Sequence, residues 1–370
     1  MNDPLTEVTV DLPGRPYRIA IAPGLLTRVG RLLREGLPVD RATVITDATV
    51  GPLHFDRLAS SLRDAGVEPR VIVVPAGEAS KSLRQLGAVY DDLAAGGHER
   101  GEPIIALGGG VVGDLAGLAA ATWLRGVPLV QCPTTLEADI DASIGGKTAI
   151  NHAGGKNLIG AFHQPAMVCI DPQCLDTLPR RDFVAGLAES VKHAVIADAD
   201  FLAWHEEHAD AILDRKPAIL TELILRNCRI KAAVVVEDER ESGVGGVGRA
   251  ALNFGHTAGH ALESLSEFDH RHGEAVALGM VVALDLAVGL AGFPGSSRDR
   301  IESLLQRLGL PTRLARLPPT HEVAALMQRD KKSRRRTVRF VLPERIGSVR
   351  WCDAAPASAV EAALRRLQAD

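Results

Sequence analysis

Residues Glu7–Leu12 alternate apolar and polar side chains, a Pro-Gly pair follows, and Tyr17–Ile21 resumes the run, which predicts a β-hairpin. Short apolar, β-branched runs at Ala42–Thr46, Arg70–Val74, Pro103–Leu107, Pro128–Cys132 and Ala166–Ile170 predict buried strands. The stretches between them carry helical periodicity, as at Leu83, Ala88, Val89 and Leu93. Strands alternating with helices predict an α/β, Rossmann-like domain with a parallel sheet covered on both faces. After Leu178-Pro179 the pattern changes. Phe183–Ala197, Pro217–Val236, His256–Leu265, Glu274–Ala291, Ser297–Leu308 and His321–Gln328 read as helices, with one late β-like piece at Thr337–Leu342. The expected organisation is an α/β domain over 1–180 followed by an all-α domain over 181–370.

A length of 370 residues suits two domains. Hydrophobic residues at 46% and charged residues at 24% allow a full core, which excludes disorder and a small disulfide-stapled scaffold. Lys+Arg number 42 against Asp+Glu 46, so no general field favours nucleic acid or an anionic membrane. An anionic ligand would need a local cluster of cations. Aromatics at 4% weaken any reading based on base stacking. The five cysteines (Cys132, Cys169, Cys174, Cys228, Cys352) form no CxxC pair, which argues against a disulfide framework or thiolate zinc and for a reducing cytoplasm. The opening MNDPLTEVTVDL lacks the basic and apolar regions of a signal peptide. Ala275–Phe293 nears membrane-spanning length, but Asp285 and three glycines interrupt it, so a buried core helix is expected.

Three segments carry candidate chemistry. Leu107-Gly108-Gly109-Gly110-Val111-Val112-Gly113-Asp114 follows a predicted strand and opens a predicted helix. Glycines there let the backbone approach a pyrophosphate, and the helix N-terminus offers free N–H groups. The GxGxxG spacing alone is weak, because no acidic residue follows at the distance of a first dinucleotide unit. In the second segment, Asn253–His260 sets His256 and His260 four apart on one helix face, and His272-Gly273-Glu274 follows. Imidazoles so grouped suit a divalent cation, and Glu189, which interrupts the apolar run Gly186-Leu187-Ala188, is a candidate carboxylate for the set. Bare spacing pairs His256 with His260. In the third, Lys147 and Lys156 lie among glycines, and Lys192, Lys231, Arg249 and Lys331-Lys332 could join them around a phosphate or carboxylate. Ser143–Thr148 resembles the end of a P-loop, but Ala142 stands where its first glycine belongs, which disfavours a nucleoside triphosphate. The block Lys331–Arg336 reads as a solvated loop.

Taken in order, Gly108–Asp114, Pro133-Thr134-Thr135, Asp141 through Gly146-Lys147-Thr148, Gly155-Lys156-Asn157-Leu158-Ile159-Gly160, Gly186-Leu187-Ala188-Glu189, Leu252–His260 and His272-Gly273-Glu274 resemble the 3-dehydroquinate synthase family of sugar-phosphate cyclases. The likeness runs from about Asp47 to Lys332. It implies an NAD-binding α/β domain and a helical metal- and substrate-binding domain, with Zn2+ or Co2+ held by Glu189, His256 and His272. His260 then faces substrate, against the bare spacing. The resemblance assigns Asp47, Glu78, Lys81, Gly109, Gly110, Val111, Asp114, Thr134, Thr135, Lys156, Thr177 and Leu178 to NAD. It assigns Asp141, Lys147, Asn157, Arg249, Asn253, His260 and Lys331 or Lys332 to substrate, with Lys147, Lys192, Lys231, Asn253 and His260 as catalytic positions. Arg125 would reach the neighbouring site of a homodimer.

The implied reaction turns 3-deoxy-D-arabino-heptulosonate 7-phosphate into 3-dehydroquinate and phosphate through transient oxidation, elimination, reduction and aldol closure. Sister cyclases of the amino-dehydroquinate or valiolone type and a metal-dependent polyol dehydrogenase are the alternatives. Lys231, Arg249 and Asn253 favour a substrate with a carboxylate. The chain departs from the family pattern at Glu137 and Asp139, acids where apolar residues are usual, and these are expected near the nicotinamide. Ala142 also replaces a common serine. The glycine-rich stretch Gly243–Gly248 lengthens a loop before Arg249, and is expected to act as a lid.

Overall fold

The computed structural model describes residues 5–242, 247–265, 270–329 and 338–369. Packing divides the chain into two units, Met1–Pro179 with Pro217–Val236, and Arg180–Lys216 with Glu237–Asp370.

The first unit is built on a seven-stranded sheet. Its strands are β1 (Thr6–Val10), β2 (Tyr17–Ile21), β3 (Arg41–Asp47), β4 (Glu68–Val74), β5 (Ile104–Gly108), β6 (Leu129–Pro133) and, after a separate hairpin of β7 (Lys147–His152) and β8 (Gly155–Phe162), β9 (Met167–Ile170). The spatial order is β1-β2-β9-β6-β5-β3-β4. β1 and β2 pair antiparallel, from Thr6 opposite Ile21 to Val10 opposite Tyr17, and the other neighbours run parallel.

Period-two alternation sends side chains of the central strands to opposite cores. Ile105 and Leu107 of β5 join a cluster with Leu25, Leu26, Val29, Leu58 and Leu62, while Ile104 and Ala106 join one with Leu86, Val89, Leu93 and Leu115. The first cluster includes residues of α1 (Val29–Gly36) and α2 (Gly51–Asp64), and the second residues of α3 (Leu83–Ala95) and α4 (Gly110–Thr122). Both faces are therefore covered, as the continuous apolar runs predict.

The β7–β8 hairpin is not anticipated by the glycine-rich pattern. A Cβ on Gly117 of α4 would meet Thr148 Cγ2 at 2.3 Å, and one on Gly160 would meet the Thr148 carbonyl oxygen at 2.3 Å. Gly117 lets the hairpin lie directly against α4, and Gly160 lets β8 approach β7 closely.

The second unit begins with α5 (Arg180–Ala197) and α6 (Ala199–Leu213), the latter capped by Asp198, whose carboxylate accepts from Phe201 N–H at 2.9 Å. α7 (Pro217–Glu237) follows, and its Pro217–Val236 groups with the first unit. The sequence pattern places this helix in 181–370. Its tie to the first unit is chemical: Lys231 pairs with Asp141, and Cys228 Sγ lies 3.6 Å from the Asp139 carbonyl oxygen. The second unit resumes with α8 (His256–Leu265), α9 (His272–Leu290), α10 (Gly295–Arg307) and α11 (Thr320–Arg329), then β10 (Phe340–Arg345), β11 (Ser348–Cys352) and α12 (Ala357–Arg365). β10 and β11 form a hairpin that adds a small sheet to an otherwise helical unit.

Helix α9 is long and apolar enough to cross a bilayer, yet 72% of that stretch is buried within the fold. Asp285, the acidic residue in its apolar middle, pairs with Arg298 at 3.1 Å and with Arg366, which ties α9 to α10 and to the end of α12.

Candidate functional site

The second unit holds a convergent set of metal-ligand types. Glu189 lies on α5, whose residues Phe183–Ile196 are all buried, and its side chain is 2% exposed. His256 and His272 open α8 and α9. Their Nε2 atoms lie 3.4 Å and 3.6 Å from Glu189 Oε1. Ligand atoms of the three residues fall within 4.8 Å of one another.

The glycines beside these residues set the spacing. A Cβ on Gly273 of α9 would lie 1.8 Å from the Ala185 carbonyl oxygen of α5, and one on Gly279 would lie 1.9 Å from the Gly255 carbonyl oxygen. Gly255, at φ +81, turns the chain into α8. Three helices thus meet backbone to backbone at the level of Glu189, His256 and His272. Any larger residue would hold the imidazoles away from the carboxylate.

Hydrogen bonding fixes what the imidazoles offer. His256 Nδ1 lies 3.2 Å from the Phe254 carbonyl oxygen, which only accepts, so the proton sits on Nδ1 and Nε2 carries a lone pair. His272 Nδ1 lies 3.5 Å from the Glu263 carboxylate, which imposes the same tautomer. Burial holds the His256 pKa well below its usual value, with the Glu189 charge opposing, so its ring stays neutral. Two lone pairs and a carboxylate oxygen therefore face one another. A tetrahedral cation with bonds of about 2.0–2.1 Å needs donor atoms about 3.3 Å apart, close to these separations. The donor set fits a divalent metal with a position left for substrate. Lys192, one turn after Glu189, pairs with its other oxygen.

His260 stands beside this group without joining it: its ring centroid is 5.2 Å from that of His256 and 5.9 Å from that of His272. Arg249 is buried at 1% exposure, and its guanidinium donates to the Glu239 carbonyl oxygen at 2.6 Å. The Asn253 amide donates to Glu241 at 2.9 Å. Both lie in the Gly248–Asn253 turn. Lys331, Lys332 and residues 243–246 of the expected lid lie outside the described residues.

In the first unit, β5 ends at Gly108 and α4 starts at Gly110, so the glycine-rich turn is the strand-to-helix connection the spacing predicts. A Cβ on Gly109 would meet Thr135 Cγ2 at 2.9 Å, and Thr134 N–H donates to the Gly108 carbonyl oxygen at 3.1 Å, which sets the start of the turn that continues into Gly110 and Val111 alongside Thr134 and Thr135. Lys81 Nζ donates to Asp114 and to Asn157, each at 2.6 Å. Burial pushes the Asp114 carboxyl above its usual range, and the Lys81 ammonium opposes the shift. Asn151, with no signal in the sequence, bridges the set: its amide donates to Glu78 at 2.7 Å, and its carbonyl oxygen accepts from Asn157 N–H at 2.9 Å. Glu78 and Lys81, with the distant Asp114 and Asn157, thus form one network.

Asp47 Oδ1 accepts from Thr49 N–H at 2.8 Å and Val50 N–H at 2.9 Å at the end of β3. Thr177 is exposed and Leu178 half-buried at the close of the turn Pro172–Thr177. Lys147 and Lys156 begin the hairpin strands, Lys147 exposed and Lys156 half-buried. Arg125 is exposed in a left-handed turn at φ +68. Asp141 receives the ammonium of the buried Lys231.

Asp139 is fully buried, and neither of its carboxylate oxygens has a hydrogen-bond partner in the described structure. Burial pushes its pKa well above the usual value, and the Asp171 charge adds to the shift. His54 and Glu263 are two further positions the sequence pattern does not single out.

Residues 71–185 match the family 3-dehydroquinate synthase N-terminal, and residues 186–333 match 3-dehydroquinate synthase C-terminal. A 3-dehydroquinate synthase of Rhodospirillum rubrum is 49% identical over 359 residues, covering 95% of this chain and 92% of the relative. One of Nitrosomonas europaea is 46% identical over 353 residues, covering 95% and 94%. Among solved structures, a 2-epi-5-epi-valiolone synthase from Streptomyces hygroscopicus with NAD+ and Zn2+ bound is similar, with TM-score 0.85, 30% identity and 99% of each chain covered.

Proposed function

Because the chain belongs to the 3-dehydroquinate synthase family, we propose that it converts 3-deoxy-D-arabino-heptulosonate 7-phosphate into 3-dehydroquinate and phosphate. Glu189, His256 and His272 would hold Zn2+ or Co2+. The glycine-rich turn, with Asp47, Glu78, Lys81, Asp114, Thr134, Thr135, Lys156, Thr177 and Leu178, would hold NAD. Bound there, the metal would acidify a ring hydroxyl and NAD would take up a hydride and return it within one turnover.

The chain's own residues supply recognition. Lys147, Asn157 and His260 would gather the phosphate, while the Arg249 fork and the Asn253 amide suit a carboxylate. Lys192 and Lys231, buried on Glu189 and Asp141, would add fixed positive charge without needing to reorganise. No side chain is assigned as a dedicated base, since the leaving phosphate can carry the proton. Arg125, exposed on its left-handed turn, would serve a neighbouring copy in a homodimer. Five free cysteines suit a cytoplasmic setting.

The observation that carries the reading is the meeting of two imidazole lone pairs with the buried Glu189 carboxylate in a chain of this family. The test supplies purified protein with the heptulosonate phosphate, Zn2+ or Co2+ and sub-stoichiometric NAD+, and follows phosphate beside NADH absorbance. Phosphate release over many turnovers without NADH build-up is expected. Steady NADH accumulation with a polyol and no phosphate release would replace the cyclase with a dehydrogenase. Turnover of the amino analogue alone would move the assignment to a sister cyclase.

A further inference from the structure

His54 lies on α2 at 2% exposure, beneath the exposed Thr177. Its Nδ1 is 2.7 Å from Arg57 Nη2, and its Nε2 is 2.9 Å from Thr177 Oγ1. A guanidinium only donates, so Nδ1 must accept, and the neutral ring carries its proton on Nε2. That N–H donates to Thr177 Oγ1. The Thr177 hydroxyl proton goes to the Cys174 carbonyl oxygen at 3.0 Å. Burial and the Arg57 charge lower the His54 pKa to about 4, so the ring stays neutral in ordinary buffers.

A threonine hydroxyl has one proton and two lone pairs. At Thr177 the proton and one lone pair are spent inside the protein, which leaves a single acceptor site. The turn that carries it is held independently: Asp171 Oδ1 accepts from Gln173 N–H at 3.1 Å and Gly24 N–H at 2.8 Å.

We infer that His54 is a positioning residue for the dinucleotide, orienting Thr177 so that it accepts from an N–H or O–H donor of the ligand and rejects a carbonyl or phosphate oxygen. The inference rests on Thr177 being a NAD contact. On NAD the matching donors are the adenine amino group and the ribose hydroxyls.

The test is calorimetric titration of the full-length protein with NAD. His54→Ala and Thr177→Val are each expected to raise Kd by about 3- to 10-fold, the worth of one neutral hydrogen bond. The double variant should be no weaker than Thr177→Val alone, because His54 acts through that hydroxyl. His54→Gln, whose amide N–H reaches the Nε2 position, should restore binding, and Thr177→Ser should keep it. If the adenine amino is the donor, the hypoxanthine analogue weakens binding to the wild type but not to Thr177→Val. If a ribose hydroxyl is the donor, the 2′- or 3′-deoxy analogue shows that pattern instead. Additive losses in the double variant, or unchanged binding in His54→Ala, would overturn the inference while leaving the NAD reading intact, and unchanged binding in Thr177→Val would overturn it and remove Thr177 from the NAD contacts. A wild type that binds no NAD would overturn both. Should His54→Ala fail to fold, the comparison of His54→Gln, Thr177→Ser and Thr177→Val carries the same decision.

Discussion

Replacing Asp139 should stabilise the protein, and more so as pH rises. The carboxyl is fully buried, both oxygens lack a hydrogen-bond partner in the described structure, Asp171 repels a negative charge, and Cys228 Sγ lies against the main-chain carbonyl oxygen. An unsatisfied buried polar group costs about 1–3 kcal/mol. Asp139→Ala removes that cost and leaves a void of roughly 20 Å3, worth about 0.5 kcal/mol against the variant. The net gain is about 1.5 kcal/mol, or about 3–6 °C in Tm for a unit of this size.

The pH dependence follows from the raised pKa in the folded state. Below the unfolded value of about 3.9 both states are protonated and ionisation adds no penalty. Above it the unfolded chain releases a proton that the folded chain keeps. Stability then falls by up to about 1.4 kcal/mol per pH unit until the folded group ionises. Asp139→Asn keeps a polar group but cannot ionise, so it isolates this slope. Thermal unfolding by circular dichroism at pH 5.5, 6.5 and 7.5 should show both variants pulling ahead of wild type as pH rises. A flat difference between wild type and Asp139→Asn, with Asp139→Ala no more stable than wild type, would refute the reasoning.

Two further predictions concern the metal centre. Gly273→Ala puts a methyl 1.8 Å from the Ala185 carbonyl oxygen, so α9 must shift off α5; a loss of about 1–3 kcal/mol in stability and a weaker metal affinity by chelator competition are expected, and unchanged affinity would remove the spacing argument. His272→Ala should lose bound metal, read by elemental analysis, while far-ultraviolet circular dichroism stays near wild type; retained metal would shift the ligand set to His256 and His260.

Much of the fold is legible in the pattern of residues. The parallel strands announce themselves because both sheet faces are buried, which produces continuous apolar runs such as Ile104–Leu107. Helix α8 begins at His256 because Gly255 supplies the left-handed turn before it. The β7–β8 hairpin escapes notice because its strand pattern is interrupted by glycines such as Gly160, whose close approach to Thr148 of the paired strand is visible only in three dimensions. Helix α6 and the β11 partner of β10 are also absent from the sequence reading; β11, at five residues, takes its identity from the strand it pairs with.

The site divides along the same line. Residue types and local spacing determine that this chain carries imidazoles, a carboxylate amid apolar helix, a glycine-rich strand-to-helix turn and scattered cations. Bare spacing pairs His256 with His260, whereas the structure brings His272 to His256 and Glu189. That choice depends on how closely α5, α8 and α9 approach, which Gly255, Gly273 and Gly279 allow through contacts between backbones distant in sequence. Nor does any local pattern mark His54, Asn151 or Glu263, whose importance lies entirely in the atoms that folding brings to them. Covalent neighbours set conformation and chemistry by short-range sterics and periodicity, whereas ligand geometry, proton placement and the burial of Asp139 are set by long-range packing.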